Sequence, residues 1–264
     1  MKPDLNVLKQ FGIDGEIIFL PGGEERTYRV GNIVLKHLYK DTLEYSLQIS
    51  EWFSKIKEDG FRIPRPILTI DGKWVTENRW SAWTFLEGNH DYNDHIKKTI
   101  DAIIAFHKAL KGLPKPKFLE IVDSPYIKAD KYAWENIPNQ IHSDVKEMVQ
   151  KLYKVRKSVD GLENQLIHGD LNPDNILISD TLPPAIIDIA PYWRPVEFAL
   201  AVYAYWIGPW RDDKEVLKYF SEVKEFNQML VRAGIRMLLI MSEFNKINDL
   251  EKYKKATNII LGRF

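Results

Sequence analysis

Cysteine is absent from the 264 residues. Disulfides, thiolate nucleophiles and zinc-thiolate sites are therefore excluded, and a reducing, cytoplasmic setting is expected. Excess charge is missing too, with 37 Lys and Arg against 37 Asp and Glu. A balanced chain offers no bulk attraction to nucleic acid or to an anionic membrane surface, so neither is expected as a partner. No run of about eighteen apolar residues occurs, and Met1 to Gln10 lacks a basic segment followed by an apolar core. No membrane span or export signal is predicted. Repeats and low-complexity tracts are lacking as well. What remains is an ordinary globular composition in a chain long enough for two lobes.

The informative stretch is Leu166-Ile167-His168-Gly169-Asp170-Leu171-Asn172-Pro173-Asp174-Asn175-Ile176-Leu177-Ile178, followed after a turn by Ala185-Ile186-Ile187-Asp188. Apolar strands frame a polar loop. Three groups suit phosphoryl transfer: the carboxylate of Asp170, the amide of Asn175 and the carboxylate of Asp188. Protein kinases use an Asp to take the hydroxyl proton, an Asn five residues on to hold one magnesium, and a later Asp to complete the metal site. The spacing here matches. Mg²⁺ takes a few hard oxygens from a protein and fills its shell with phosphate and water, so one carboxylate and one amide oxygen are chemically sufficient. An Asp- and Asn-rich loop can also be turn chemistry alone, but the flanking strands and the second Asp agree with the catalytic reading.

The His168-Gly169-Asp170 opening, where protein kinases carry His-Arg-Asp, resembles the aminoglycoside phosphotransferase family and its choline kinase-like members. The resemblance implies an α+β, bilobal protein-kinase-like fold, with a five-stranded antiparallel sheet and one helix over residues 1–87 and a mainly helical lobe over 88–264. It implies ATP and Mg²⁺ as cofactors, Asp170 as catalytic base, Asn175 and Asp188 as metal ligands, and a small-molecule hydroxyl as acceptor of the γ-phosphate.

Ahead of the motif, Glu16 to Leu20 and Thr27 to Val30 are predicted to form a hairpin. Ile33 to Leu38 reads as a strand with Val34, Lys36 and Leu38 on one face. In kinases the Lys of this strand pairs the α and β phosphates and the residue two before it roofs the adenine, which gives those roles to Lys36 and Val34. Gly22 and Gly23 stand where a phosphate-covering loop lies, without the full Gly-x-Gly-x-x-Gly spacing. Asp41 to Glu58 is predicted as an amphipathic helix that buries Tyr45, Ile49, Trp52, Phe53 and Ile56, capped by Asp41 or Thr42. It offers Glu44 or Glu51 to pair with Lys36, with Glu44 preferred. A second hairpin is expected from Ile67 to Ile70 and Lys73 to Val75. In the resembling family the strand before such a Gly presents backbone groups to adenine, which implies edge contacts at Thr84 and Leu86.

Beyond Gly88 the period turns helical. Ile96 to Leu110 is a helix with His107 as a core histidine, Lys117 to Lys146 is irregular, and Ser143 to Val159 is helical. Further helices run about 196–206, 214–220, 226–243 and 248–260. After Asp188 the chain departs from the family, which usually places Asp-Leu-Ala about twelve residues on to brace the catalytic loop. Here Glu197-Phe198-Ala199 comes after nine, and Glu197 is read as the brace. Tyr192 and Trp193, between Pro191 and Pro195, read as a rigid loop whose rings line the acceptor pocket. Arg194 either holds an acceptor carboxylate or phosphate, or pairs with Glu197. Trp206 and Trp210 read as core. Two rival readings stand beside a small-molecule kinase: a nucleotide-binding pseudoenzyme or interaction module on the same fold, and a protein kinase, whose Phe-Gly and Ala-Pro-Glu landmarks are lacking. The acceptor is not encoded in the shared motif.

Overall fold

Asp4 accepts the Val7 N–H at 2.9 Å and opens a helix that the sequence reading lacks, α1 (Leu5–Phe11). Its apolar face seeds the first core. The computed structural model describes residues 1–21, 26–90, 95–121, 124–135, 137–245 and 247–264, so the expected phosphate loop at Gly22 and Gly23 lies outside the described residues. Five short strands, β1 (Ile18–Phe19), β2 (Thr27–Val30), β3 (Ile33–His37), β4 (Pro66–Ile67) and β5 (Trp80–Thr84), form the antiparallel sheet the sequence implies, in the order β1-β2-β3-β5-β4. Alternation along β3 buries Leu35 completely among Val7, Leu8, Phe11, Tyr28, Val30, Trp80 and Ala82. Val34 and Lys36 consequently occupy the other, half-buried face.

The second hairpin differs from expectation. Pro66 and Ile67 pair with Trp83 and Ala82, and the turn at Asp71-Gly72 is closed by Thr69, whose hydroxyl accepts the Lys73 N–H at 2.9 Å. Helix α2 (Leu43–Phe53) is shorter than the predicted 41–58 at both ends. A 3₁₀ turn, Lys40–Thr42, precedes it, and the Thr42 hydroxyl donates to the Tyr39 carbonyl at 3.0 Å instead of capping the helix. At the other end Arg65 Nη1 donates to the carbonyls of Phe53 and Ile56, at 2.7 and 2.6 Å. These terminal carbonyls would otherwise lack partners.

The chain divides into two compact units, Met1–Asn89 with Leu177–Ile187, and His90–Ile176 with Asp188–Phe264. The segment 177–187, placed with the second lobe by the sequence reading, thus belongs to the first. Backbone bonds explain this: Asn89 and Ile178 bond reciprocally at 2.8 and 2.7 Å, and Arg62 bonds to Pro184 and Ile186 at 2.9 Å each. Gly88 allows that approach, since a Cβ there would lie 2.8 Å from the Ile178 oxygen and its φ is +151°.

The second unit contains α3 (Ile96–Leu110), α4 (Phe118–Ile121), α5 (Pro125–Trp134), α6 (Ser143–Val155), β6 (Gln165–His168), β9 (Pro191–Arg194), α7 (Val196–Ile207), α8 (Phe226–Glu243) and α9 (Leu250–Leu261), while β8 (Ala185–Ile186), the partner of β7 (Ile176–Leu177), belongs to the first. The stretch read as irregular holds α4 and α5, the latter capped by Ser124, which accepts the Ile127 N–H at 3.2 Å. Helix α8 is buried all round, and α5, α6, α7 and α9 pack on it; it is the axis of this unit. Pro191 to Arg194 is a strand antiparallel to β6, not a loop. A proline at a strand's first position leaves the rest of the ladder intact. Among the described residues no helix is long and apolar enough to cross a membrane.

Candidate active site

The polar loop folds on its own hydrogen bonds. After β6, the Asp170 carbonyl accepts the Asn172 N–H at 3.0 Å and the Asn175 Nδ2 at 2.7 Å. Asn172 Oδ1 accepts the Asp174 N–H at 2.8 Å and starts the 3₁₀ turn Pro173–Asn175. Because only the NH₂ end of an amide donates, the Asn175 oxygen is turned away from the Asp170 carbonyl with its lone pairs unspent on that contact. Asn175 itself is buried and Asp170 half-buried. The sequence signal for this pair, five residues apart, is matched by direct contact.

Two histidines hold the loop from behind. His107, fully buried on α3, donates Nδ1–H to the Ile103 carbonyl at 2.7 Å and accepts the His168 N–H on Nε2 at 3.1 Å. Burial drives its pKa down to about 3, so the ring stays neutral. His168 Nδ1 in turn faces the backbone N–H groups of both Asp170 and Ala190, each at 3.2 Å. The Gly169 N–H also reaches the Ala190 carbonyl at 2.8 Å. The segment just after Asp188 is thereby tied to the residues just before Asp170. Asp188 is exposed, with φ at +52°. That conformation costs a non-glycine residue on the order of 1 kcal/mol and recurs where backbone is shaped for function.

The Asn175 amide oxygen and the Asp188 carboxylate are the groups that could hold magnesium at an open site. No group of three or more His, Cys, Asp or Glu converges on a metal among the described residues. A closed protein cage is not what Mg²⁺ requires, and an oriented amide oxygen with an exposed carboxylate suits a hard cation shared with phosphate.

Of the residues expected at the acceptor, Tyr192 and Arg194 are engaged within the protein. Tyr192 is 6% exposed, and its ring fills the space beside Gly169, where a Cβ would fall 2.1 Å from Tyr192 Cδ2. It is a packing residue under the loop, and it explains why glycine stands where protein kinases carry arginine. Burial raises its phenol pKa. Arg194 pairs with Asp130 and not with Glu197: its Nε and Nη2 lie 2.9 and 2.7 Å from Asp130 Oδ2, and its guanidinium sits 5.0 Å from the Trp134 ring. Trp193, opposite Leu166 in the β6–β9 ribbon, is half-buried and faces away from Tyr192. No hydrogen bond or ion pair joins Glu197 to the loop among the described residues.

In the first unit, Lys36 lies opposite Thr27 and Ser81, and Val34 opposite Arg29 and Trp83. Glu51 is taken by Lys55, whose hydrogen bond lowers its pKa, while Glu44 stands exposed in the first turn of α2. At the end of β5 the Thr84 N–H goes to the Arg65 carbonyl at 2.8 Å, but the Arg65 N–H goes to the Thr84 hydroxyl, also at 2.8 Å. The ladder therefore stops short of the Thr84 carbonyl. Leu86 follows one residue after Phe85, whose N–H donates to Asn32 at 2.8 Å.

Comparison with known proteins places this arrangement. The profile of the phosphotransferase enzyme family matches residues 16–213. No curated protein sequence matches. Among solved structures, the choline kinase LicA from Streptococcus pneumoniae is similar with a TM-score of 0.62 at 14% identity, covering 98% of this chain and 97% of that one. The GDP complex of aminoglycoside 2'-phosphotransferase-IIIa gives 0.60 at 15% identity, over 98% and 97%. A microcompartment-associated aminopropanol kinase gives 0.58 at 13%, over 97% and 93%. At such identities the likeness is one of fold. The family match is broader evidence: spanning most of the chain, with Lys36 and everything from Asp170 to Asp188 inside it, it shows that this kinase-like chain belongs to the phosphotransferase enzyme family.

Proposed function

We propose that this protein transfers the γ-phosphate of ATP, with magnesium, to a hydroxyl of a small molecule. The observation that carries the reading is the Asn175 amide, fixed at 2.7 Å by the Asp170 carbonyl so that its oxygen is presented as a ligand. Bound magnesium would supply charge neutralisation at the transferring phosphate. Asn175 and Asp188 would hold it, and Lys36 would pair the nucleotide phosphates. Glu44, with Glu51 engaged by Lys55, is the residue left to orient Lys36. The Thr84 carbonyl and the Leu86 backbone would read the adenine edge, with Val34 over its face. Asp170 accepts the hydroxyl proton at its carboxylate as the oxygen attacks, and catalysis is otherwise positioning.

The acceptors named for structural relatives, choline, an aminopropanol and aminoglycosides, are hydroxyl-bearing amines. A panel built on amino alcohols and amino sugars is the first test: ADP release from MgATP that depends on one of them, and is lost in Asp170→Asn, supports the reading. Acceptor-independent behaviour across that panel and a protein panel, with no phosphorylated product, would sink it.

A further inference from the structure

Arg236 is almost wholly inaccessible, at 1% exposure, in the middle of the central helix α8. A lone buried cation is costly unless something nearby needs it. Its Nη1 donates to the Gly169 carbonyl in a short hydrogen bond, and its guanidinium lies 4.5 Å from the Tyr192 ring centre. Burial opposes its charge, and Tyr192, Asp130 and Asp170 together more than offset that opposition.

The Gly169 carbonyl and the Asp170 N–H belong to one planar peptide unit. His168 holds the N–H end at 3.2 Å, and Arg236 holds the carbonyl end. The following peptide is held through the Asp170 carbonyl by Asn172 and Asn175. Asn172 and Asn175 lie within five residues of Asp170 and move with the loop, whereas His168 is tied through His107 to α3. Arg236, 67 positions from Gly169, is the contact that anchors the carbonyl end of this peptide to α8, the axis of the unit.

We infer that Arg236 is the positioning residue of the catalytic loop: a guanidinium delivered from α8 that fixes the Gly169–Asp170 peptide and so sets the direction of the Asp170 carboxylate. It fills the bracing role that the sequence assigns to Glu197. The inference rests on the reading of Asp170 as the base.

The test compares Arg236→Met, which removes charge and donor, with Arg236→Lys and Arg236→Gln, which keep an N–H for the carbonyl. Turnover is read as ADP release from MgATP with water as acceptor, and loop order as hydrogen exchange of the residue 169–175 amides. Arg236→Met should lower kcat about 100-fold with the KM for ATP unchanged, and should speed exchange in that loop while β6 and α8 stay protected. Lys and Gln should restore most of both, and they carry the test if the Met variant does not fold. A kcat within about threefold of wild type in Arg236→Met, or unaltered loop exchange in all three, overturns the inference. Asp170→Asn is run alongside. Wild-type turnover in that variant would overturn the base assignment alone, because loop exchange still reports on Arg236.

Discussion

The Tyr192 ring occupies the space that a side chain on residue 169 would need, a Cβ there falling 2.1 Å from Tyr192 Cδ2. Gly169→Ala should therefore destabilise the protein by roughly 1–3 kcal/mol through overpacking. Because both changes concern one contact, adding Tyr192→Ala should cost less than the sum of the single effects. Urea unfolding of the four proteins in the cycle measures this; strict additivity would show that the two sites do not compete.

Asp170→Asn should keep nucleotide binding and lose turnover by orders of magnitude, since an amide cannot take the hydroxyl proton. Asp188→Ala should abolish the part of the ATP-induced thermal shift that depends on magnesium, whereas Lys36→Ala should weaken nucleotide binding with or without the metal. Shifts unchanged in both variants would point to a different nucleotide site.

His107 makes stability depend on pH. Its folded-state pKa is about 3 against an ordinary 6.5, so between these values the unfolded chain binds a proton that the native ring refuses. Its contribution is complete above pH 6.5 and is lost progressively as pH falls toward 3, at up to about 1.4 kcal/mol per unit. His107→Gln, which keeps an acceptor for the His168 N–H, should flatten that part of the profile in denaturation midpoints taken between pH 7 and 4. A parallel slope in the variant would assign it to other groups.

Arg194 and Asp130 form a largely buried pair, with side chains 19% and 6% exposed. Arg194→Met leaves the carboxylate buried without its ion-pair partner and should cost roughly 3 kcal/mol, while adding Asp130→Asn should recover much of it. The acceptor KM of the double variant should stay near wild type if Arg194 is structural.

Trp193 is the remaining candidate for a wall of the acceptor pocket. Trp193→Ala should raise the acceptor KM, or lower kcat, with ATP affinity unchanged. If both substrates are affected equally, the ring is core and the pocket is built from the region Lys117 to Lys146.

The contact between Asp170 and Asn175 was legible because it is local: they stand five residues apart and meet through one carbonyl. The strand Thr27–Val30 and the helix Phe226–Glu243 follow from period alone. What escaped depends on distance along the chain. Asp130 and Arg194 meet across 64 positions, and no local pattern pairs them. Arg236 did leave a signal, since Arg232 and Arg236 are one turn apart in a helix whose neighbours are nearly all apolar, and a cation on a buried face calls for a partner. The prolines flanking Tyr192 and Trp193 suggested a loop, but a strand begins at the first and ends before the second. Helix α1 is two turns long, too short for its period to stand out.

The return of residues 177–187 to the first unit has a consequence for biosynthesis. A nascent chain that has emerged to Asn89 already carries α1 and the whole five-stranded sheet, yet Asn89 waits for Ile178, 89 residues downstream, and Arg62 for Pro184 and Ile186, 122 and 124 residues downstream. At bacterial or eukaryotic elongation rates those waits last about 4 to 25 s. The amino-terminal unit is thus made first and finished late, with Gly88 and its neighbours open to water, chaperones and proteases until residues 177–187 have been synthesised.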